Sequence, residues 1–313
     1  GVRIRYTRLP WQDGQQKVVL SVNAGRPPDV CGQVNVSPQF IAQDVLEPLD
    51  EFLAPLRDDF HPSYLESVSY GGHIWAVPWY KACYVMVLNL DVFEERGVAP
   101  PANGRWTWDE FLQTMKALTS SEPITSGGQT IPRQTWGLVT NLGPAEYEAY
   151  SILFNAGGRI LQKRPDGTVV STVNESPFIK GLQRLQDLDF RHGVCFANIG
   201  ATNQEMSWNA WRDTRSIGVT IQGAWSIAAL NMYNEKLEQS NARRLAQGLA
   251  PSDERPLRWA IAAPPSDDAD TTPVLGSSGL GTYVVFRQKD PRKRELAARF
   301  ILKLITGEGQ RVL

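Results

Sequence analysis

The residues of this 313-residue chain best suited to chemistry are aromatic rings set beside polar groups. Ten tryptophans stand in it, and an indole on a surface is costly unless something covers it. Core packing accounts for most of them. A few ring residues occupy positions where a ligand would be the cover instead. Trp225 closes the run Gly223-Ala224-Trp225, directly after the strand pattern Ile217–Ile221 and at the start of a long helix. Tyr147 lies in Pro144-Ala145-Glu146-Tyr147-Glu148, between the strand pattern Trp136–Val139 and a helix ending at Gly157-Gly158. Trp79-Tyr80-Lys81 follows Pro78 and precedes the apolar run Tyr84–Leu88. Two short polar loops, Gln33 to Asn35 and Ser277-Ser278-Gly279, complete the set.

Rings with hydrogen-bonding groups around them suit a pyranose. Its C–H faces stack on the plates, and its equatorial hydroxyls bond to Asp, Glu, Asn, Gln, Arg or Lys. Each position also has a structural reading. Trp225 would pack under its helix, Glu146 would favour a helix N-terminus through the dipole, and Gln33 and Asn35 would suit any loop.

Other chemistries find less support. Three cysteines (Cys31, Cys83, Cys195) and three histidines (His61, His73, His192) are scattered without metal-ligand spacing, so neither a metal nor a cofactor is expected. The cysteines permit either one disulfide with one free thiol or three buried thiols. A formal charge of −1 argues against nucleic acid, whose phosphates demand a surplus of Lys and Arg. No apolar run approaches the roughly 18 residues that cross a bilayer. A glycoside hydrolase needs two carboxylates facing one bond, roughly 5 to 10 Å apart. Glu146 and Glu148 stand two apart on one element, with no evident partner. In Gly276-Ser277-Ser278-Gly279-Leu280-Gly281, Leu280 occupies the place of the last glycine of a nucleophile elbow. The chain reads as a binder, not an enzyme.

The elements that must position these residues alternate between strand and helix, the pattern of an α/β fold. Val2 to Tyr6 alternates like a half-buried strand. Asp13 caps a helix that carries Val18, Val19 and Val22 and ends at Gly25, and Trp11 packs on it. Pro28-Asp29-Val30-Cys31 is a short strand. Thr107 and Glu110 form a capping box for a helix that buries Trp108, Phe111, Leu112, Met115 and Leu118. Ser176-Pro177 opens a helix with Phe178, Leu182, Leu185 and Leu188 inward. Strands follow at Ile217–Ile221, Arg258–Ala263 and Gly281–Phe286. Asp290-Pro291 then caps a last helix with Leu296, Phe300, Ile301 and Leu304 inward. No repeat or low-complexity linker separates two halves.

This order of elements carries motifs that resemble the family 1 extracellular solute-binding proteins, the maltose-binding-protein-like group. The resemblance rests on Gly25-Arg26-Pro27-Pro28-Asp29-Val30, Leu46-Glu47-Pro48-Leu49-Asp50 and Gly72-His73-Ile74-Trp75-Ala76-Val77-Pro78. It continues through Asn89-Leu90-Asp91-Val92-Phe93, then Pro100-Pro101 with Trp106 to Phe111, then Gly223-Ala224-Trp225 and the stretch Leu296 to Val312. Each motif is weak by itself, but together they follow the family order across the whole chain. Two departures stand out. Relatives usually begin one strand before Val2 and continue by several helices past the last one, which implies a processed or shortened version of a longer protein.

The resemblance implies a two-lobed periplasmic-binding-protein fold of type II, each lobe a mostly parallel sheet flanked by helices. Residues 1–92 with 280–313 would form one lobe and 93–279 the other, with hinge strands near Asn89–Glu94 and Gly276–Gly281. It implies a substrate-binding subunit of an ATP-binding-cassette importer that holds a sugar or oligosaccharide in an interlobe cleft, closing on it. Its partners would be that carbohydrate and transmembrane permease subunits. It would be a monomer in the periplasm or outside the cell, lipid-anchored through residues upstream. The family match places Trp225 and Tyr147 on sugar-stacking positions, with Glu146, Trp79, Tyr80, Lys81, Gln33, Asn35 and Ser278 as further contacts. Relatives often carry Pro-Trp-Tyr-x-Asp-x-Arg where this chain has Ala82 and Tyr84, so a polar clamp is lost and Lys81 offers a replacement cation. A glycerol phosphate or polyamine receptor of the same class is the alternative, with Lys81 and Arg212 as phosphate candidates.

Overall fold

The computed structural model describes residues 2–9, 13–32, 38–126, 128–143, 147–307 and 309. The elements that matter here are, in chain order, α1 (Gly14–Asn23), β1 (Val30–Gly32), β2 (Val77–Asn89), α2 (Trp108–Leu118), β3 (Trp136–Val139), α3 (Tyr147–Asn155) and α4 (Ser176–Gln186). After them come α5 (Gln204–Thr214), β4 (Ile217–Gly223), α6 (Trp225–Ala246), β5 (Trp259–Ala262), β6 (Ser277–Val285) and α7 (Pro291–Ile305).

The chain divides into two compact units, Gly1–Lys81 with Gly279–Leu313, and Ala82–Ser278. The first boundary falls earlier than the expected residue 92, and the second one residue before the expected 280. The reason lies in β2, which runs unbroken for 13 residues. From Tyr84 onward it pairs with β4, and Met86 to Asn89 also pair with β5, so its second half belongs to the second unit's sheet.

In the first unit, β1 pairs antiparallel with β6, Val30 opposite Val285 and Gly32 opposite Tyr283. Val284, Val285 and Phe286 are all fully buried in a core shared with Val18 and Val22 of α1, Leu46, Leu49, Leu53, Ile74 and Ile301 of α7. Glu47 is buried there but neutralised, accepting from Arg294 Nε at 3.0 Å. Asp290 caps α7 by accepting from the Arg292 amide at 2.9 Å. That helix buries Ala297, Ala298, Ile301 and Ile305, whereas Leu296 is exposed. Residues 2–9 adopt no regular structure, and Val2, Ile4 and Tyr6 are exposed. The alternating pattern there has no buried face to serve. Trp11 lies outside the described residues.

In the second unit, β4 is flanked by β2 antiparallel and by β3 parallel, and β5 lies antiparallel against β2. The sheets are therefore mixed instead of mostly parallel, because β2 crosses from one unit to the other and runs against β4. Met86, Leu88, Val219 and Ile221 bury one face under Phe111, Met115 and Leu118 of α2. Val85 and Val87 bury the other against Trp211 and Leu230. Thr107 and Glu110 form the expected capping box at the start of α2. Close approach of α2 needs glycines beneath it. A Cβ on Gly137 would overlap the Met115 carbonyl, and one on Gly218 would lie 2.6 Å from Leu118 Cδ1. Along α4, Gly181 packs on Leu153, which turns Phe178 and Leu185 inward and leaves Leu182 exposed, contrary to its expected place. Among the described residues, no helix is long and apolar enough to cross a membrane.

Candidate functional site

Strands β3 and β4 are adjacent and parallel, so their C-terminal ends lie along one edge of the second unit's sheet, the edge where open α/β sheets hold ligands. The chain leaves β3 for α3, whose first residue is Tyr147, and leaves β4 through Ala224 for α6, whose first residue is Trp225. Both rings are substantially exposed, Tyr147 at 40% and Trp225 at 43%, which removes Trp225 from the core. Trp225 stands edge-on to Trp208 with ring centres 5.1 Å apart, and Trp208 lies nearly parallel to the fully buried Trp211 at 5.9 Å. Tyr147 stands edge-on to Tyr150 at 6.0 Å.

A chain of polar contacts joins α3 to α5. Gln204 Nε2 donates to Glu148 Oε1 at 2.5 Å, and Asn141 Nδ2 lies 3.5 Å from Glu148 Oε2. Ser207 Oγ donates to Asn141 Oδ1 at 3.3 Å. Glu148 is fully buried, so it fastens α3 to α5 and is withheld from any ligand. Glu146 lies outside the described residues.

The first unit carries its own ring surface. Trp79 and Tyr80 are half-buried, edge-on to one another at 4.3 Å, and Trp79 tilts against Tyr283 of β6 at 5.5 Å. Burial pushes the Tyr80 and Tyr283 hydroxyls above their ordinary pKa, and for Tyr283 the nearby Tyr80 and Tyr6 add to it. Trp79 Nε1 is buried without a hydrogen-bond partner among the described residues. Lys81 is exposed, its Nζ 5.6 Å from the centre of the Tyr64 ring. Gln33 and Asn35 lie outside the described residues, and of Ser278 only the place of its backbone in β6 is described.

Tyr283 and Trp208 join these surfaces without having been singled out in the sequence. Tyr283 reads as one more residue of a strand, and only the fold sets its ring against Trp79. Trp208 is a helix-spaced neighbour of Trp211, the spacing of an ordinary core pair. Among the described residues no group of three potential ligands could hold a metal. All three cysteines are free, with Cys31 and Cys195 buried and Cys83 half-buried.

A sequence model of the bacterial extracellular solute-binding proteins matches residues 1–312. The diacetylchitobiose-binding protein DasA of Streptomyces coelicolor is 24% identical over 168 residues, which are 52% of this chain and 35% of that protein. Among solved structures, maltose-bound MalE3 of T. maritima matches with a TM-score of 0.67 at 21% identity, covering 94% of this chain and 66% of that one. The GacH receptor of Streptomyces glaucescens, solved unliganded and with acarbose, matches at 0.69 and 18% identity, covering 99% and 69%. A solute-binding protein of Agrobacterium radiobacter in complex with ribitol gives 0.68 and 18%, covering 97% and 69%. The chain thus spans about a third of its curated relative and about two thirds of these structures. The structural likenesses show the fold, that of the type II periplasmic binding proteins.

Proposed function

The chain belongs to the bacterial extracellular solute-binding proteins, and from that premise we propose that it captures a sugar or oligosaccharide outside the cytoplasmic membrane for an ATP-driven importer. It would deliver the ligand to permease subunits, unaltered. The relatives support a carbohydrate: the curated one is a diacetylchitobiose-binding protein, and solved neighbours hold maltose, acarbose or ribitol. The observation that carries the reading is Trp225, an indole 43% exposed at the C-terminal edge of the sheet and buttressed by Trp208. A pyranose face is the cover such a ring lacks. In the same reading Tyr147 stacks beside it, Trp79 and Tyr80 serve the first unit, and Lys81, Gln33, Asn35, Glu146 and Ser278 bond hydroxyls.

The rival ligands draw less from the structure. A polyamine would want free carboxylates, and Glu148 is buried in its own hydrogen bonds. A phosphate would want several converging cations, and with Arg212 paired to Asp213 at 2.7 Å only Lys81 of the two candidates is left. Catalysis on a glycoside would need two opposed carboxylates, and Glu148 cannot be one of them. The test is calorimetric titration with maltotriose and other oligosaccharides. Saturable one-to-one binding is expected, with the sugar recovered intact. Turnover of the sugar, or binding that survives Trp225→Ala unchanged, would contradict the proposal.

A further inference from the structure

Two glycines beneath the ring surfaces have no backbone reason to be glycine. Gly223 and Gly281 are both buried in strands, and neither adopts the left-handed conformation that favours glycine. What crowds each of them is a ring. A methyl group on Gly223 would lie 2.5 Å from Cδ1 and 2.6 Å from Nε1 of Trp225, with Cγ next at 3.7 Å. A methyl group on Gly281 would overlap Cδ1 and Cε1 of Tyr80 and lie 2.8 Å from its Cζ. Gly32, exposed in β1, is crowded in the same way, an added methyl lying 2.8 Å from Cε1 of Tyr283. Three further crowded glycines differ. Gly137 abuts the Met115 backbone, Gly181 the Leu153 backbone, and Gly218 the buried Leu118, all contacts that dock helices.

We propose that Gly223 and Gly281 are positioning residues that set the ring planes of Trp225 and Tyr80 by leaving their own faces bare. The proposal rests on the carbohydrate reading for its consequence, because a stacked sugar depends on ring orientation, but not for the geometry itself. The competing explanation is that an aromatic over glycine merely covers exposed sheet backbone.

Sugar affinity separates the two, and fluorine NMR of protein labelled with 5-fluorotryptophan, with Trp225→Phe identifying the Trp225 line, reads whether the ring moves. Gly223→Ala should move that line and leave the line of Trp211 in place. Gly281→Ala should move the line of Trp79, which touches Tyr80. For maltotriose, Gly223→Ala should lose affinity up to the roughly ten- to seventy-fold expected of Trp225→Ala, and add no loss in the Trp225→Ala background. If Gly223→Ala lowers the melting temperature, Trp225→Ala in the same chain should restore it by removing the clashing ring. An unmoved Trp225 line, an equal affinity loss with and without Trp225, or a failure of that rescue would overturn the proposal. Should wild-type protein bind no sugar at all, the carbohydrate reading falls, while the fluorine lines still decide whether the glycines set the ring orientation.

Discussion

Trp211, Trp208 and Trp225 show one residue type divided between support and exposure within a single ring stack. Trp211 is fully buried, so Trp211→Ala should cost roughly 3–5 kcal/mol of stability, read by chemical denaturation. Trp225→Ala should do the reverse. If a sugar covers about 60–100 Å² of apolar surface on that ring, the lost binding is about 1.5–2.5 kcal/mol at ~25 cal/mol per Å², or roughly ten- to seventy-fold. Stability should fall by less than for Trp211→Ala, since Trp225 is already 43% exposed. Calorimetry and melting of both variants check the pair. The buried thiols predict an alkaline limb. Burial raises the pKa of Cys195, with Asp189 adding to it, and burial raises that of Cys31. In the unfolded chain these thiols ionise near pH ~8.5. Their neutral forms therefore contribute stability fully below that pH, and stability should fall as pH rises above it. A denaturation midpoint flat from pH 7 to 8 and declining by pH 10 is expected. Replacing Cys195 by Ala should flatten part of the decline.

At the scale of elements, caps and glycines decide how close the helices stand to the sheet. Thr107→Ala removes an acceptor for the Glu110 amide and half of a reciprocal cap, and should cost about 1 kcal/mol. Gly137→Ala pushes α2 off β3 and should cost about 1–3 kcal/mol by overpacking. Urea titration of each variant measures both. The cap was legible in the sequence because Thr107 and Glu110 stand at the spacing the motif requires. The helix faces followed from periodicity wherever one side simply met the core, as in α2. Periodicity failed for Leu182, since the apolar stripe on α4 does not reveal that Gly181 is the point of closest approach. It failed again at Val2 to Tyr6, where alternation describes a strand but says nothing about whether a partner stands beside it. That Trp225 opens a helix directly after a strand was legible in Gly223-Ala224-Trp225. Tyr283 was not, because its significance comes from a neighbour, Trp79, distant in the chain.

For the whole molecule, the order of motifs along the sequence carried the family, while the boundary between the units required the strand pairing. The run through Val77 to Asn89 contains no break to mark where one unit yields to the other, and only the pairing of its second half with β4 and β5 does so. Ring surfaces exist in each unit and no described cluster could hold a metal, so a chelator should leave both melting temperature and sugar affinity unchanged. A loss of sugar binding in EDTA, reversed by a divalent ion, would contradict that. The most direct test of the central claim is a thermal-shift screen of the protein against oligosaccharides, sn-glycerol 3-phosphate and spermidine under one buffer. A ligand at about a hundred times its Kd adds about 2.7 kcal/mol, which should raise the melting temperature on the order of 5 °C. The carbohydrate account predicts that shift for at least one oligosaccharide and none for the phosphate or the amine. A shift with glycerol phosphate or spermidine, and with no sugar, would contradict it.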